Sequence, residues 1–88
     1  MGARGWKRNP AAQHDPAYRA LCGVLVQTRE SAGLTQRDLA AKLKKPRSYV
    51  SKTETAERRL DFVELVRWCR ACGANPKLVY ESLIRAMS

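Results

Sequence analysis

The stretch TQRDLAAKLKKPRSYVSKTE, Thr35 to Glu54, carries two helix starts in quick succession. Thr35 is a good N-cap and Asp38, three residues on, makes a near capping box, with Leu34 and Leu39 spaced as a hydrophobic staple. Pro46 suits the opening of a further helix, expected to run to about Thr55 with Val50 as its apolar knob. Leu39 and Leu43 face inward on the first of these helices, and the second is otherwise polar and basic. Five of the eleven residues from Lys42 to Lys52 are cationic and none is acidic.

Working outward, Asp15 caps and Pro16 opens a helix whose Tyr18, Leu21, Cys22, Leu25 and Arg29 share one face, and Gly33 closes it as a left-handed cap. Downstream, LDFVEL repeats the starting signal: Asp61 caps, Glu64 completes the box, and Leu60 and Leu65 form the staple. Phe62, Leu65, Val66, Cys69 and Cys72 are expected to form the apolar face of that fourth helix, which Gly73 ends. Asn75 and Pro76 start a fifth, carrying Leu78, Val79, Leu83, Ile84 and Met87. No strand pattern, repeat or low-complexity tract competes, so the expected fold is all-α, a compact five-helix bundle over residues 15–88. Residues 1–14 read as a flexible basic arm. Its Arg4, Lys7 and Arg8 either follow a polyanion or belong to a plain tail.

A chain of 88 residues allows one domain and buries about 60 to 65% of its unfolded surface, which leaves little room for a deep cleft. Seventeen Lys and Arg against eight acids give a net charge of +9, pointing to a polyanion, nucleic acid before membrane surface, with mere solubility as the bland alternative. No apolar run approaches the ~18 residues of a membrane span, and the N-terminus lacks the apolar core of a signal peptide. A cytoplasmic, nucleoid-associated protein with no membrane contact is expected. Cys22, Cys69 and Cys72 read as reduced thiols. Cys69 and Cys72 have CxxC spacing, which with His14 and Cys22 would make a zinc site, but packing is the stronger reading. No nucleophile and base are suitably spaced, so neither an enzyme nor a cofactor or metal site is expected.

Only Lys44 and Lys45 join the second and third helices, so the two must cross steeply, and the small Ala40 leaves room for a close crossing. That is helix-turn-helix geometry, in which the second helix of the pair enters the DNA major groove.

Over about Ala20 to Leu83 the sequence resembles the lambda-repressor-like helix-turn-helix family, also called XRE or Cro/CI, of bacteria and phages. The resemblance rests on AGLTQRDLAAKL (Ala32 to Leu43), PRSYVSKTE (Pro46 to Glu54) and ERRLDFVEL (Glu57 to Leu65), in the family's order and spacing. It implies base reading by Arg47, Ser48, Ser51 and Lys52, and phosphate binding by Gln36 at a helix N-terminus. Lys44 and Lys45 in the turn are further phosphate candidates, as are Arg58 and Arg59, for which a solvated charged loop is the alternative. Tyr49 either contacts DNA, at a thymine methyl or a phosphate, or covers the helix. Arg29 and Glu54 match a partly buried ion pair, and a guanidinium on an apolar face needs such a partner. The family's usual glycines after the second and third helices are replaced here by Lys44 and Ala56.

Leu78, Val79, Leu83, Ile84 and Met87 exceed what one buried face needs, which points to dimerisation through the fifth helix, with completion of the core as the alternative. The expected function is a homodimeric, sequence-specific regulator of transcription, a repressor of Cro-like or controller-protein type, on a palindromic double-stranded DNA operator. Two rivals are an antitoxin-like module that neutralises a partner protein, and a nonspecific nucleic-acid binder.

Overall fold

The computed structural model describes residues 14–88, so the basic arm, with Arg4, Lys7 and Arg8, lies outside the described residues. Five helices follow in order: α1 (Pro16–Ser31), α2 (Gln36–Leu43), α3 (Arg47–Glu54), α4 (Phe62–Ala71) and α5 (Pro76–Met87). Among the described residues there is no strand. The architecture is therefore all-α, as the periodicity predicted.

Every helix start but one is fixed by a side chain. Asp15 accepts from the Ala17 N–H at 3.0 Å, and Asn75 from Lys77 at 2.9 Å. Thr35 with Asp38, and Asp61 with Glu64, close reciprocal capping boxes, each satisfying two backbone donors. α3 is the exception: Pro46 is its N-cap, one residue outside the helix, and offers no side-chain bond.

The helix ends share one device. After α1, α2, α3 and α4 the chain turns through a left-handed residue, respectively Gly33, Lys44, Ala56 and Gly73, with φ between 58° and 75°. Backbone N–H groups then return to the last turn, as Lys45 does to Ala40 at 3.0 Å and Glu57 to Lys52 at 2.9 Å. Lys44 and Ala56 thus keep the turns that glycine would favour, at about 1 to 2 kcal/mol each for a side chain in that region.

α1 packs on α5 and α3, and α2 packs on α3 and α4. Leu25, Leu39, Val50, Trp68 and Cys69 are fully buried between them. Trp68 sits at the centre and donates its indole N–H to the Leu25 carbonyl at 3.2 Å. The expected face of α4 needs correcting here: Trp68 replaces Phe62 as the inward ring, and Phe62, in the first turn, is 70% exposed. Cys22 and Cys69 are buried and Cys72 half-buried, so all three thiols serve packing. His14 is exposed, and among the described residues no group of three or more His, Cys, Asp or Glu could hold a metal. Among the same residues no helix is long and apolar enough to cross a membrane.

Candidate nucleic-acid interface

Val50 and Thr53 anchor the inner side of α3, both with no exposed surface, and the Thr53 hydroxyl donates to the Tyr49 carbonyl at 2.6 Å. A helix turns about 100° per residue, so fixing those two residues inward sends Ser48 and Lys52 outward, with Arg47 and Ser51 beside them. Arg47, Ser48 and Lys52 are exposed and Ser51 is half-exposed, its hydroxyl donating to the Ser48 carbonyl at 3.3 Å. Lys44 and Lys45 are exposed in the turn just before α3.

Beside them lies an open concavity of about 500 Å³ lined by Arg29, Thr35, Gln36, Arg37 and Arg47. Arg37 is the residue that the sequence reading overlooked. It occupies the first turn of α2, where the helix dipole disfavours a cation unless an anion shares the site. That mismatch was a visible signal for it.

One wall of the concavity is a buried ion pair. Arg29 donates through Nε to Glu54 Oε2 at 2.6 Å and through Nη2 to Oε1 at 3.2 Å, and its Nη1 reaches the Leu34 carbonyl at 2.8 Å. Only 10% of the Arg29 side chain and 5% of the Glu54 side chain are exposed, so each charge depends on the other. The Glu54 hydrogen bond raises the guanidinium pKa further, keeping it charged. Gln36 joins the cluster, its Nε2 donating to Glu54 Oε1 at 2.9 Å. One amide proton of Gln36 is thereby committed within the protein.

Tyr49 and Arg58, both phosphate candidates, have partners within the fold. Tyr49, half-buried, donates its hydroxyl to Glu64 Oε2 at 3.2 Å, and burial, followed by the Glu64 charge, pushes its pKa up to about 12. Arg58 lies 4.4 Å over the Tyr49 ring and pairs with the same Glu64 oxygen at 3.0 Å. With 19% of its side chain exposed, Arg58 is held against the Tyr49 ring and Glu64, and Tyr49 covers the core. Arg59 stacks 4.9 Å over Tyr18 and stays half-exposed. Tyr18 fixes that loop from α1, accepting from the Leu60 N–H at 2.7 Å and donating to the Arg58 carbonyl at 3.3 Å.

The expected dimer surface also needs a correction. Val79 is buried in the core, which removes it from any free face, while Leu78, Ile84 and Met87 are exposed and Leu83 is half-buried. Exposed Phe62 and Tyr80 border an apolar groove of about 370 Å³ with Leu65, Val66, Pro76 and Lys77.

The family of helix-turn-helix domains matches residues 20–81 of the chain. A solved XRE-family like protein from Pseudomonas syringae pv. tomato str. DC3000 is similar at 44% identity, over 85% of this chain and 92% of its own, with a TM-score of 0.77. No curated protein matches the chain in sequence.

Proposed function

The chain belongs to the XRE-like helix-turn-helix family, and from that premise we propose that it is a DNA-binding transcriptional repressor reading a palindromic operator through α3. The observation that carries the reading is the outward side of α3. Arg47, Ser48 and Lys52 stand exposed there behind Lys44 and Lys45, with no acid from Leu39 to Thr53. An α-helix fits the major groove, where Arg47 can pair bidentately with guanine O6 and N7, and Lys52, Ser48 and Ser51 can read neighbouring edges. Gln36, Arg37, Lys44 and Lys45 are assigned to phosphates on either side, where they fix register and release counterions. Arg59, half-exposed, borders the same side.

Dimerisation is proposed through the apolar surface of Phe62, Tyr80, Ile84 and Met87, with Leu83 beside it, whereas Leu78 lies on the other flank of α5, in a concavity with Val24 and Thr28 of α1. A two-fold dimer would set two copies of α3 about 34 Å apart on one side of the duplex, in the cytoplasm, where occupancy excludes polymerase. Three cationic phosphate ligands per subunit, Arg37, Lys44 and Lys45, predict that the logarithm of a dimer's affinity falls with the logarithm of salt at a slope of about −5. Selection from a random duplex pool at physiological salt tests the reading. A palindromic motif with half-sites about one turn apart supports it, and a flat motif would leave only phosphate attraction and sink it.

A further inference from the structure

The two sides of α3 are held by different carboxylates. Toward α1 and α2, Glu54 takes Arg29 and Gln36. Toward α4, Glu64 takes Tyr49 and Arg58 through one oxygen, while its other oxygen accepts from the Asp61 N–H at 2.9 Å within the α4 capping box. The Tyr49 ring is further flanked by two cations, Arg58 at 4.4 Å and Lys45 Nζ at 5.4 Å. Tyr49 lies on the helix between the inward Val50 and the outward Ser48, at the flank where a small rotation of α3 would first show.

We infer that Tyr49, Arg58 and Glu64 form a latch that sets the roll of the recognition helix, making Tyr49 and Arg58 positioning residues for base readout. This inference rests on the proposed DNA-binding function. The inner residues Val50 and Thr53 are small, and apolar packing is non-directional, so it tolerates some rotation of the cylinder above it. A hydrogen bond on one flank and a bidentate ion pair on the other do not. Base edges demand that tolerance be small, because a bidentate Arg contact has a defined plane, whereas a phosphate oxygen accepts donors over a wide range of directions. Loosening the latch should therefore harm sequence reading more than it harms attraction to the backbone. Lys45, held over the same ring, ties the turn and one of its phosphate candidates to the latch. The raised pKa of Tyr49 keeps its hydroxyl a donor throughout the physiological range.

The experiment uses the full chain and two variants, Tyr49→Phe and Arg58→Lys. Tyr49→Phe removes only the hydroxyl and leaves the ring and its packing. Arg58→Lys keeps the charge and removes the planar group from the ring. For each protein, affinity is measured for the operator selected with the wild type and for a scrambled duplex, together with melting temperature. The latch predicts that operator affinity falls about tenfold in each variant while scrambled-duplex affinity changes less than about twofold. If both affinities fall together in step with melting temperature, the residues are merely structural and the inference is overturned. It is equally overturned if neither affinity moves. Should the wild type itself select no motif, the DNA-reading function fails first and the latch falls with it, an outcome distinct from the other two.

Discussion

Replacing Glu54 by alanine tests the buried ion pair and, through it, the reason α3 stands where it does. The substitution removes acceptors for Arg29 Nε and Nη2 and for Gln36 Nε2, and leaves Arg29 with the Leu34 carbonyl at 2.8 Å. Glu30 lies 3.9 Å away, but its carboxylate is 66% exposed and so is a weak substitute. Stranding one partner of a buried pair costs about 3 to 5 kcal/mol, and the retained Leu34 bond argues for the lower end, about 3 kcal/mol. For a domain of this size each kcal/mol shifts the melting temperature by roughly 4 to 8 °C, so a fall of about 12 to 24 °C is expected in thermal unfolding followed by circular dichroism. Operator binding should weaken in proportion to the unfolded fraction.

A control separates burial from charge. Arg29→Met combined with Glu54→Leu removes both ions, and should recover most of the lost stability, because apolar replacement of a buried pair is often neutral. Added salt should not change the Glu54→Ala deficit, since a pair this enclosed is poorly screened. A Glu54→Ala protein that melts within about 5 °C of the parent would refute the reasoning, all the more so if it had lost DNA binding. Glu54 would then be acting on DNA directly and not through the fold.

Lys44→Gly relieves the left-handed strain and should raise stability by about 1 kcal/mol in denaturant titration. Because Lys44 is also assigned to phosphate, once in each subunit, the same variant should bind the operator more weakly and flatten the salt slope by about 2; higher stability with higher affinity would contradict that assignment. Arg47→Ala should relax preference at one operator position, costing about 1 to 3 kcal/mol there, whereas a uniform loss across sequences would mean that Arg47 touches only the backbone. Burial first, and then the neighbouring Cys69, pushes the Cys72 thiol up to about 11. Iodoacetamide should modify it about 10- to 100-fold more slowly at pH 8 than a free thiol, with the rate climbing up to about pH 11, and labelling at the free-thiol rate would refute its burial. Asp38 is held below the ordinary carboxylate range by its bonds within the α2 cap. A depressed pKa stabilises the fold above the unfolded value, so this contribution should be constant through neutral pH and lost only as the pH falls through the folded value; loss of α2 helicity on moving from pH 8 to pH 6 would contradict it.

What was legible in the sequence was mostly local. Asp15, Thr35 with Asp38, Asp61 with Glu64, and Asn75 each bond within three residues of themselves, so spacing alone exposed four helix starts. The face of α4 was legible only in part: Leu65 and Cys69 point inward as expected, but two overlapping stripes run through FVELVRWC, and the inward ring is Trp68 and not Phe62. Trp68 prevails because its indole N–H finds the Leu25 carbonyl, 43 residues away, and no local rule announces that acceptor. The cations divide for a similar reason. Arg29 and Arg58 were both visible as positive charge, yet only Arg29 sat on an apolar stripe that demanded a partner. Arg58 looked like a solvent-facing loop residue, and its partner Glu64 already had a complete local explanation as the α4 box residue.

That double use of Glu64 bears on the interface as a whole. Two acids beside α3, Glu54 and Glu64, are turned inward and occupied by Arg29 and Arg58, while Glu57, just past the helix, is exposed and accepts from the Thr55 hydroxyl at 2.8 Å. The charges of Glu54 and Glu64 neutralise cations that the fold has buried, and neither projects toward the outward side of α3. Exposed Arg37, Lys44, Lys45, Arg47 and Lys52, on α2, α3 and the turn between them, therefore keep their positive charge uncompensated by Glu54 or Glu64, although Arg67, Arg70, Lys77 and Arg85 are exposed elsewhere. A net charge of +9 gives no direction by itself. The inward pairing of the nearby acids supplies one, because it leaves the field above α3 opposed by little negative charge, at the height where a phosphate backbone would run.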